Sequence, residues 1–257
     1  MKKLLALTFA FAALLILVGC ESSTTPDQPT VTYDVVDGGG GLTLTWSADA
    51  NADGFIIYHD NFVVDTVVGT TYTDTVPCLV IGVSAYAGDL ESAKDEIDCT
   101  PVETASLIVY GNTDPDTTHP SGFGFNAGGS AIAYSLSNTS NHPLLDYYIN
   151  SVPATPQFTS PSDHLPTPYN DEVNATKNSG STNYTTETIA DAPGGYSTQT
   201  NITANAVYFF YIDPDNDGWG SSNDYFGKVQ VTGVNGLANT LKLAYQGIAG
   251  LRWCVTP

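Results

Sequence analysis

The sequence is poor in positive charge. It holds 7 Lys and Arg residues against 27 Asp and Glu residues, and its formal net charge is −20. A surface of that sign repels nucleic-acid phosphates and anionic lipid headgroups, which argues against both as partners. It suits cations, or a salty medium that screens the repulsion between carboxylates.

Helical periodicity is also lacking. After the first 20 residues, no long stretch repeats apolar side chains at helical spacing, whereas Tyr, Thr, Asn, Gly and Pro are abundant. Short runs that alternate apolar and polar residues, separated by turn residues, are typical of strands. The sequence therefore predicts an all-β fold, and its 257 residues suffice for one or two domains with their own cores.

Catalytic motifs are absent from the sequence. There is no G-x-S-x-G elbow, H-E-x-x-H, Walker loop or Rossmann fingerprint. Carboxylate pairs such as Asp114 and Asp116 lie in turn-like sequence, where Asp and Pro favour local hydrogen bonding. A glycosidase needs two carboxylates across a cleft, and no pair stands out for that role. We therefore expect a protein that is not an enzyme.

The N-terminus carries an export signal. "MKKLLALTFAFAALLILVGC" has two lysines, an apolar run from Leu4 to Val18, and then Gly19-Cys20. "LVGC" resembles a bacterial lipobox, which implies that residues 1–19 are removed and that Cys20 is lipidated; an ordinary signal peptide or a short anchor is the alternative. Residues 20–29 are polar and predict a flexible tether. We expect a protein of the bacterial cell envelope, at the outer membrane or cell surface, that meets the membrane only through its lipid.

Three further cysteines fit an oxidising compartment. Cys78 and Cys99 lie symmetrically about a turn at Gly88-Asp89. In a hairpin with that register they are opposed cross-strand neighbours, so we predict a disulfide between them. Cys254 is left over, as a buried or terminal free thiol or as a partner for intermolecular pairing.

Residues 30–102 predict a first domain. "LTLTWSA" alternates Leu42, Leu44 and Trp46 on one face, and further strand-like runs follow at spacings suited to a sandwich. Trp46, "ADGFIIYHD", "TTYTDT" and "VSAYAGDLESA" resemble a fibronectin type III domain. The resemblance implies an immunoglobulin-like sandwich that acts as a spacer or interaction module.

Residues 104–257 predict a second, larger β domain. Its strand-like runs are interrupted by a segment from Asn150 to about Asp171 that contains five prolines, a density that excludes regular helix or a central strand. So long a loop in a compact domain is commonly functional or disordered.

This half resembles the HmuY-like lipoproteins, which are all-β surface proteins associated with haem capture. The likeness rests on "SGFGFNAGG", "DYYI" and "TKNSGS", and above all on "YFGKVQV" followed by "NTLKLAYQGIAGLRW". The resemblance implies an antiparallel β domain that binds a ligand, with haem as one candidate.

Haem would need axial ligands and an apolar cleft. The candidate ligands are His142, just before "PLLDYYI", and His164, in the proline-rich segment; simple surface histidines are the alternative. The aromatic residues that would line such a cleft are Tyr147, Tyr148, Phe158 and Tyr169.

The stretch "DPDNDGWGSSND" (residues 213–224) has the ligand spacing of a calcium loop. Numbered from Asp213, it supplies oxygen ligands at positions 1, 3, 5, 7, 9 and 12 and a glycine at position 6, with Asp where the EF-hand has Glu. Strand-like runs flank it, so an acidic hairpin turn is the alternative. The predicted calcium ligands are Asp213, Asp215, Asp217, Trp219 through its carbonyl, Ser221 and Asp224.

Together these features favour a non-catalytic, lipid-anchored surface protein whose second domain binds a ligand and is stabilised by calcium. The ligand or partner would be haem, a haemoprotein, a glycan or another envelope protein. An envelope structural or adhesion protein is the alternative, and an extracellular hydrolase is the third hypothesis.

Overall fold

The computed structural model describes residues 24–47, 49–192, 194–218 and 223–257. Its regular structure is almost wholly antiparallel β-sheet, which confirms the all-β fold. The helical elements of these residues are two short 3-10 segments, Thr139–Leu144 and Pro161–Asp163. Among the same residues, no helix has the length and apolar character to cross a bilayer. Cys20 and residues 1–19 lie outside the described part.

The first domain is a sandwich of two antiparallel sheets. One sheet has the order β1-β2-β5; the other has the order β4-β3-β6-β7, and β8 also pairs with β6. As predicted, Leu42, Leu44 and Trp46 all point into the core between the sheets. The strands are β1 (Val31–Val35), β2 (Leu42–Trp46), β3 (Gly54–His59), β4 (Phe62–Val67), β5 (Thr71–Asp74), β6 (Val80–Ala87), β7 (Leu90–Glu91) and β8 (Asp95–Asp98).

The second domain is a larger sandwich of two five-stranded sheets. Their orders are β11-β10-β12-β13-β15 and β14-β16-β17-β18-β9. The strands are β9 (Val102–Tyr110), β10 (Gly122–Phe125), β11 (Ala131–Tyr134), β12 (Tyr147–Asn150), β13 (Gln157–Thr159), β14 (Ala175–Asn178), β15 (Gln199–Asn201), β16 (Val207–Ile212), β17 (Tyr225–Asn235) and β18 (Ala238–Tyr245).

Strand β16 is buried on both of its faces. All six of its side chains are buried. Tyr208, Phe210 and Ile212 pack between the two sheets, whereas Phe209 and Tyr211 pack on the outer face with residues such as Ala190 and Cys254. A strand that is apolar on both faces needs cover on both, and the long connection between β14 and β15 supplies it together with the C-terminal residues.

The proline-rich segment corrects one expectation. β13 lies within it and pairs with both β12 and β15, so it is an interior strand of its sheet. Its three residues contain no proline and fit between Pro156 and Pro161. The prolines therefore limit the length of the strand without preventing its central position.

The C-terminal residues cross to the first domain. Leu251 and Trp253 are fully buried in the core of the first sandwich, although the sequence placed all of 104–257 in the second domain. The indole N–H of Trp253 donates to Gly40 O over 3.3 Å, and the backbone N–H of Arg252 donates to Gly39 O over 3.0 Å. The connection between the two sandwiches is residues 99–101, so the predicted boundary at 102–104 falls just inside β9, and the two sandwiches share the C-terminal segment.

The predicted disulfide is not formed in this structure. The hairpin begins in the expected register, with Ala87 opposite Leu90, but one extra residue before β8 shifts the register by one. The N–H of Cys99 consequently donates to Leu79 O over 2.8 Å, so Leu79, and not Cys78, lies opposite it. Cys78, Cys99 and Cys254 are all buried free thiols.

Candidate metal centre

The acidic loop connects two buried strands. β16 ends at Ile212, which pairs with Tyr225 at the start of β17, so the loop joins adjacent antiparallel strands as the flanking sequence predicted. Asn216 and Gly218 both have positive φ, at 56° and 89°. Gly218 holds the position where the calcium-loop pattern needs a sharp bend, and glycine adopts that conformation without a steric cost.

Four carboxylates converge in this loop. Asp213, Asp215, Asp217 and Asp224 each offer an oxygen, and these oxygens all lie within 4.8 Å of one another. Asp213 and Asp224 are buried, whereas Asp215 and Asp217 are exposed. The structure thus brings together four of the six predicted ligands; Trp219 and Ser221 lie outside the described residues.

Asp213 has an unused oxygen. Its Oδ2 accepts a hydrogen bond of 2.9 Å from the N–H of Gly218. Its Oδ1 is buried and has no hydrogen-bond partner among the described residues, on a side chain whose residue is only 3 % exposed. A buried carboxylate oxygen without a partner is costly, because it has lost water and gained nothing in exchange. A cation bound among the four carboxylates would supply the missing partner.

The charges of the loop act on one another. Desolvation, and after it the neighbouring carboxylates of Asp215 and Asp213, raise the pKa of Asp217. The pKa of Asp215 is lowered, chiefly by a hydrogen bond of 3.1 Å that the amide of Asn223 donates to its Oδ2. Like charges so close together favour the binding of a divalent cation, because the cation reduces their repulsion and can be coordinated by all four carboxylates.

Residues 171–174 are hydrogen-bonded to the acidic loop. The side chain of Asn216 donates to Asp171 O over 3.0 Å and accepts from the N–H of Val173 over 2.8 Å. The side chain of the fully buried Asn174 accepts from the N–H of Asp213 over 3.0 Å. Residues 171–174 and the loop are therefore joined by three hydrogen bonds. Sequence reasoning missed this support, because Asn residues are abundant and nothing in their spacing distinguishes these two.

A pair of carboxyl groups, Asp146 and Glu172, was not predictable from the sequence. Asp146 and Glu172 hydrogen-bond to each other, and the N–H of Phe125 donates to Asp146 Oδ2 over 2.7 Å. Burial, and after it the charge of Glu172, raise the pKa of Asp146 to about 8. Burial of two neighbouring carboxyl groups therefore favours a proton held within the pair.

Both predicted haem ligands lie against Tyr169. The ring of His164 stacks on it with centroids 4.0 Å apart, and the ring of His142 meets it at an angle with centroids 4.8 Å apart. His142 Nε2 is 2.9 Å from Leu136 O, and His164 Nδ1 is 2.7 Å from Thr167 O. One nitrogen of each imidazole therefore bonds to a backbone carbonyl, which leaves the other nitrogen to meet a ligand.

The predicted aromatic lining divides between two places. Tyr148 meets both Tyr169 and His164 edge-on, with centroids 5.2 and 5.8 Å away. Tyr147 and Phe158 instead lie in the core between the two sheets. Two of the four predicted aromatic residues thus accompany the histidines, and the other two hold the sandwich together.

Comparison with known proteins finds little. No family model matches the chain, and no curated protein matches it. A solved structure of a DUF4466 family protein from Parabacteroides merdae aligns with 84% of this chain and 98% of its own, at 11% identity and a TM-score of 0.41. A likeness of that degree carries no argument about ligands or activity.

Proposed function

We propose that this chain is a non-catalytic, lipid-anchored protein of the bacterial envelope whose second sandwich binds a ligand and is stabilised by a calcium ion. The observation that supports calcium best is the buried Oδ1 of Asp213, which has no hydrogen-bond partner among the described residues and lies within a cluster of four carboxylates. Export, inferred from the N-terminal sequence, would place this loop where calcium is plentiful.

Calcium fits the loop better than magnesium. Ca²⁺ takes six to eight oxygens in a flexible arrangement, whereas Mg²⁺ demands a near-octahedral shell and retains several waters. The loop offers carboxylates at the first, third, fifth and twelfth positions, which is the pattern of all-protein calcium loops. Because the loop lies in a β-hairpin between buried strands, the ion's role would be to stabilise the fold.

A thermal unfolding experiment tests the ion. Millimolar Ca²⁺ should raise the melting temperature and EDTA should lower it, because an ion that binds only the folded state adds about 2.7 kcal/mol at a concentration 100 times its Kd. Asp217→Asn should abolish the shift. The control is Asp89→Asn, which removes the same charge from an exposed turn of the first domain. Equal calcium shifts in both variants, or no shift in the unmodified protein, would remove the proposal.

We propose that the first sandwich is a spacer. Its three-stranded sheet β1-β2-β5 faces a sheet in which β4, β3 and β6 are followed by β7 and β8, with Trp46 between the sheets. This arrangement supports the proposed fibronectin type III relationship. The domain would hold the second sandwich away from the lipid anchor.

The two histidines at Tyr169 support haem as a candidate ligand. Titration of the purified protein with haem should give a Soret shift, and His142→Ala or His164→Ala should change it. A missing shift, or one unchanged in both variants, would exclude haem at these residues. Calcium binding by the loop can be measured in the same variants, so failure of haem binding does not affect the calcium proposal.

Adhesion to a glycan or an envelope protein is the second candidate. Leu144, Leu165 and Val173 are 52, 83 and 44 % exposed and belong to the same segments as His142, His164 and Asn174. Exposed apolar side chains and the half-buried ring of Tyr169 in the same segments are suited to contact with a sugar or a protein surface. Glycan-array binding that Leu165→Ser abolishes, in a protein that does not bind haem, would favour this candidate.

One observation would support the third hypothesis, an extracellular hydrolase. Asp146 and Glu172 are close acids with raised pKa values, which is a common property of catalytic groups. They hydrogen-bond directly to each other, whereas glycosidase carboxyl groups stand at least about 5 Å apart with the sugar between them. The pair therefore fits a structural role better than hydrolysis.

A further inference from the structure

A groove separates two strands at one side of the first sandwich. β1 is the outer strand of one sheet, and β8 pairs with β6 in the other. One end of the groove is closed, because the N–H of Val31 donates to Asp95 Oδ2 over 2.7 Å. The groove has a volume of about 520 Å³ and is lined by Val31, Thr32, Tyr33, Glu96, Ile97 and Asp98.

The edge of β1 that faces the groove carries backbone groups that no strand pairs with in the described chain, and of these Val31 N donates to Asp95 Oδ2. Thr30 and Val36 mark the register: Thr30 O accepts from Ser47 N, and Val36 N donates to Gly41 O. Even-numbered residues of β1 therefore bond to β2, and Val31, Tyr33 and Val35 turn their backbone groups the other way. Among the described residues, no strand pairs with this edge.

The edge of β8 is open in the same way. Cys99 N donates to Leu79 O, so the alternate residues Ile97 and Asp95 also bond to β6. Glu96 and Asp98 therefore turn their N–H and C=O groups outward. Within the described chain, β8 pairs with β6 and with no other strand. The edge of β8 is therefore open at Glu96 and Asp98, and β1, which bonds to Asp95 through Val31 N, forms the other wall of the groove.

The side chains around the groove alternate in character. Ile97 is 9 % exposed and belongs to the core, and Val31 packs against that core, so the floor is apolar. The ring of Tyr33 is 42 % exposed beside it. Glu96 and Asp98 point to the opposite face of β8 and are exposed. A strand inserted here would meet apolar groups with every second residue and carboxylates with the residues between.

Among the described residues, the basic side chains other than Lys94 are engaged away from the groove. Lys177 and Lys242 pair with Asp191 and Glu103 over 2.8 and 3.2 Å, and Lys228 is buried. Lys94 lies 3.4 Å from Glu96 and is the one basic side chain among the described residues that pairs with a groove carboxylate. The groove retains a negative field that an incoming cationic segment would neutralise.

We propose that this groove binds an extended peptide segment in which apolar and basic side chains alternate. The segment adds as a strand to the open edge of β8, places its apolar side chains over Ile97 and Tyr33, and presents its basic side chains to Glu96 and Asp98. Backbone hydrogen bonds give affinity in this mode of recognition, and the alternate side chains give specificity.

Isothermal calorimetry at low salt tests the proposal with an eight-residue, acetylated peptide that alternates valine and lysine. We expect saturable one-to-one binding. The Glu96→Gln/Asp98→Asn variant should bind about tenfold more weakly, which corresponds to about 1.4 kcal/mol. Glu96→Pro should weaken binding at least as much, because it removes an N–H as well as a carboxylate from the open edge of β8 while the bonds between β8 and β6 remain.

Matched controls separate strand addition from simple charge attraction. Asp65→Asn/Asp89→Asn makes the same charge change at exposed positions away from the groove and should leave binding unchanged. The same peptide N-methylated at alternate residues keeps its charge but loses backbone donors, and should bind at least tenfold more weakly. Equal binding of the methylated peptide, equal weakening by both charge variants, or no binding of the alternating peptide would each overturn the proposal.

Discussion

The side-chain oxygen of Asn174 accepts a hydrogen bond of 3.0 Å from the backbone N–H of Asp213, the first residue of the acidic loop. The amide of the same side chain donates to Asp146 O over 2.9 Å and to Glu172 Oε2 over 3.1 Å. One buried asparagine thus connects the candidate calcium ligands, the carboxyl pair and the start of β12. The position of Asp213 is therefore fixed from inside the domain as well as by any bound ion.

Replacing Asn174 tests this connection. In Asn174→Ala, Asp213 N and Asp146 O lose their partner, and each unpartnered buried group costs about 1–3 kcal/mol. We expect a lower free energy of unfolding in urea with EDTA present, and about tenfold weaker calcium binding by calorimetry. Asn178→Ala, at an exposed position of β14, should change neither quantity appreciably. Unchanged calcium affinity in Asn174→Ala would show that the loop is organised without this side chain.

The carboxyl pair predicts a pH dependence of stability. Burial raises the pKa of Asp146 to about 8, whereas an Asp in the unfolded chain has a pKa of about 3.9. Between these values the folded state holds a proton that the unfolded state has released. The contribution of Asp146 to the free energy of unfolding therefore falls as pH rises from about 4 to about 8, by up to about 1.4 kcal/mol per pH unit.

Asp146→Asn should remove that slope. The amide can accept the hydrogen bond from Phe125 N and donate to Glu172, as the protonated acid does. Urea unfolding across this pH range in EDTA should show a flatter profile than the unmodified protein and equal or greater stability at pH 8. An identical profile in both proteins would contradict the raised pKa of Asp146.

Trp253 should stabilise the first sandwich, although it follows the strands of the second in the sequence. Trp253→Ala would leave a large cavity among Leu42, Leu44 and Trp46, at a cost of about 3–5 kcal/mol. Hydrogen exchange should then show lost protection in strands β2 and β6 of the first sandwich. Phe62→Ala removes an aromatic ring that is 76 % exposed and should change stability by no more than about 0.5 kcal/mol. Loss of protection confined to the second sandwich would contradict this packing.

The three cysteines should be unreactive in the folded protein. Burial raises the pKa of all three thiols, and it brings those of Cys99 and Cys254 to about 12, so the thiolate is scarce. We expect a thiol reagent to label none of them before unfolding and all three in denaturant, in protein without Cys20. A count of one thiol after unfolding would establish the disulfide between Cys78 and Cys99 that the sequence predicted.

Local patterns predicted much of this structure. The apolar runs around residues 213–224 became β16 and β17, and the acidic spacing brought four carboxylates together. The alternation of Leu42, Leu44 and Trp46 identified the inner face of β2. These features depend on neighbours in sequence, where strand periodicity and ligand spacing carry the information.

Features that depend on distant partners were not predictable in the same way. Lys228 has the appearance of an outward-facing polar residue, yet it is fully buried and donates to Tyr184 O and Glu187 O, 44 and 41 residues away. The partnership of Asp146 with Glu172 and the passage of Trp253 into the first core likewise join residues far apart in the chain. Tertiary packing decides all three.

The burial of Leu251 and Trp253 in the first sandwich has a consequence for folding during synthesis. The first sandwich begins near residue 31, but its interior is complete only when Leu251 and Trp253 have emerged. An N-terminal domain ordinarily folds while the rest is still being made. Here the first domain would stay incomplete until Trp253 has been made, and a chain truncated before Leu251 would lack part of the core of that domain.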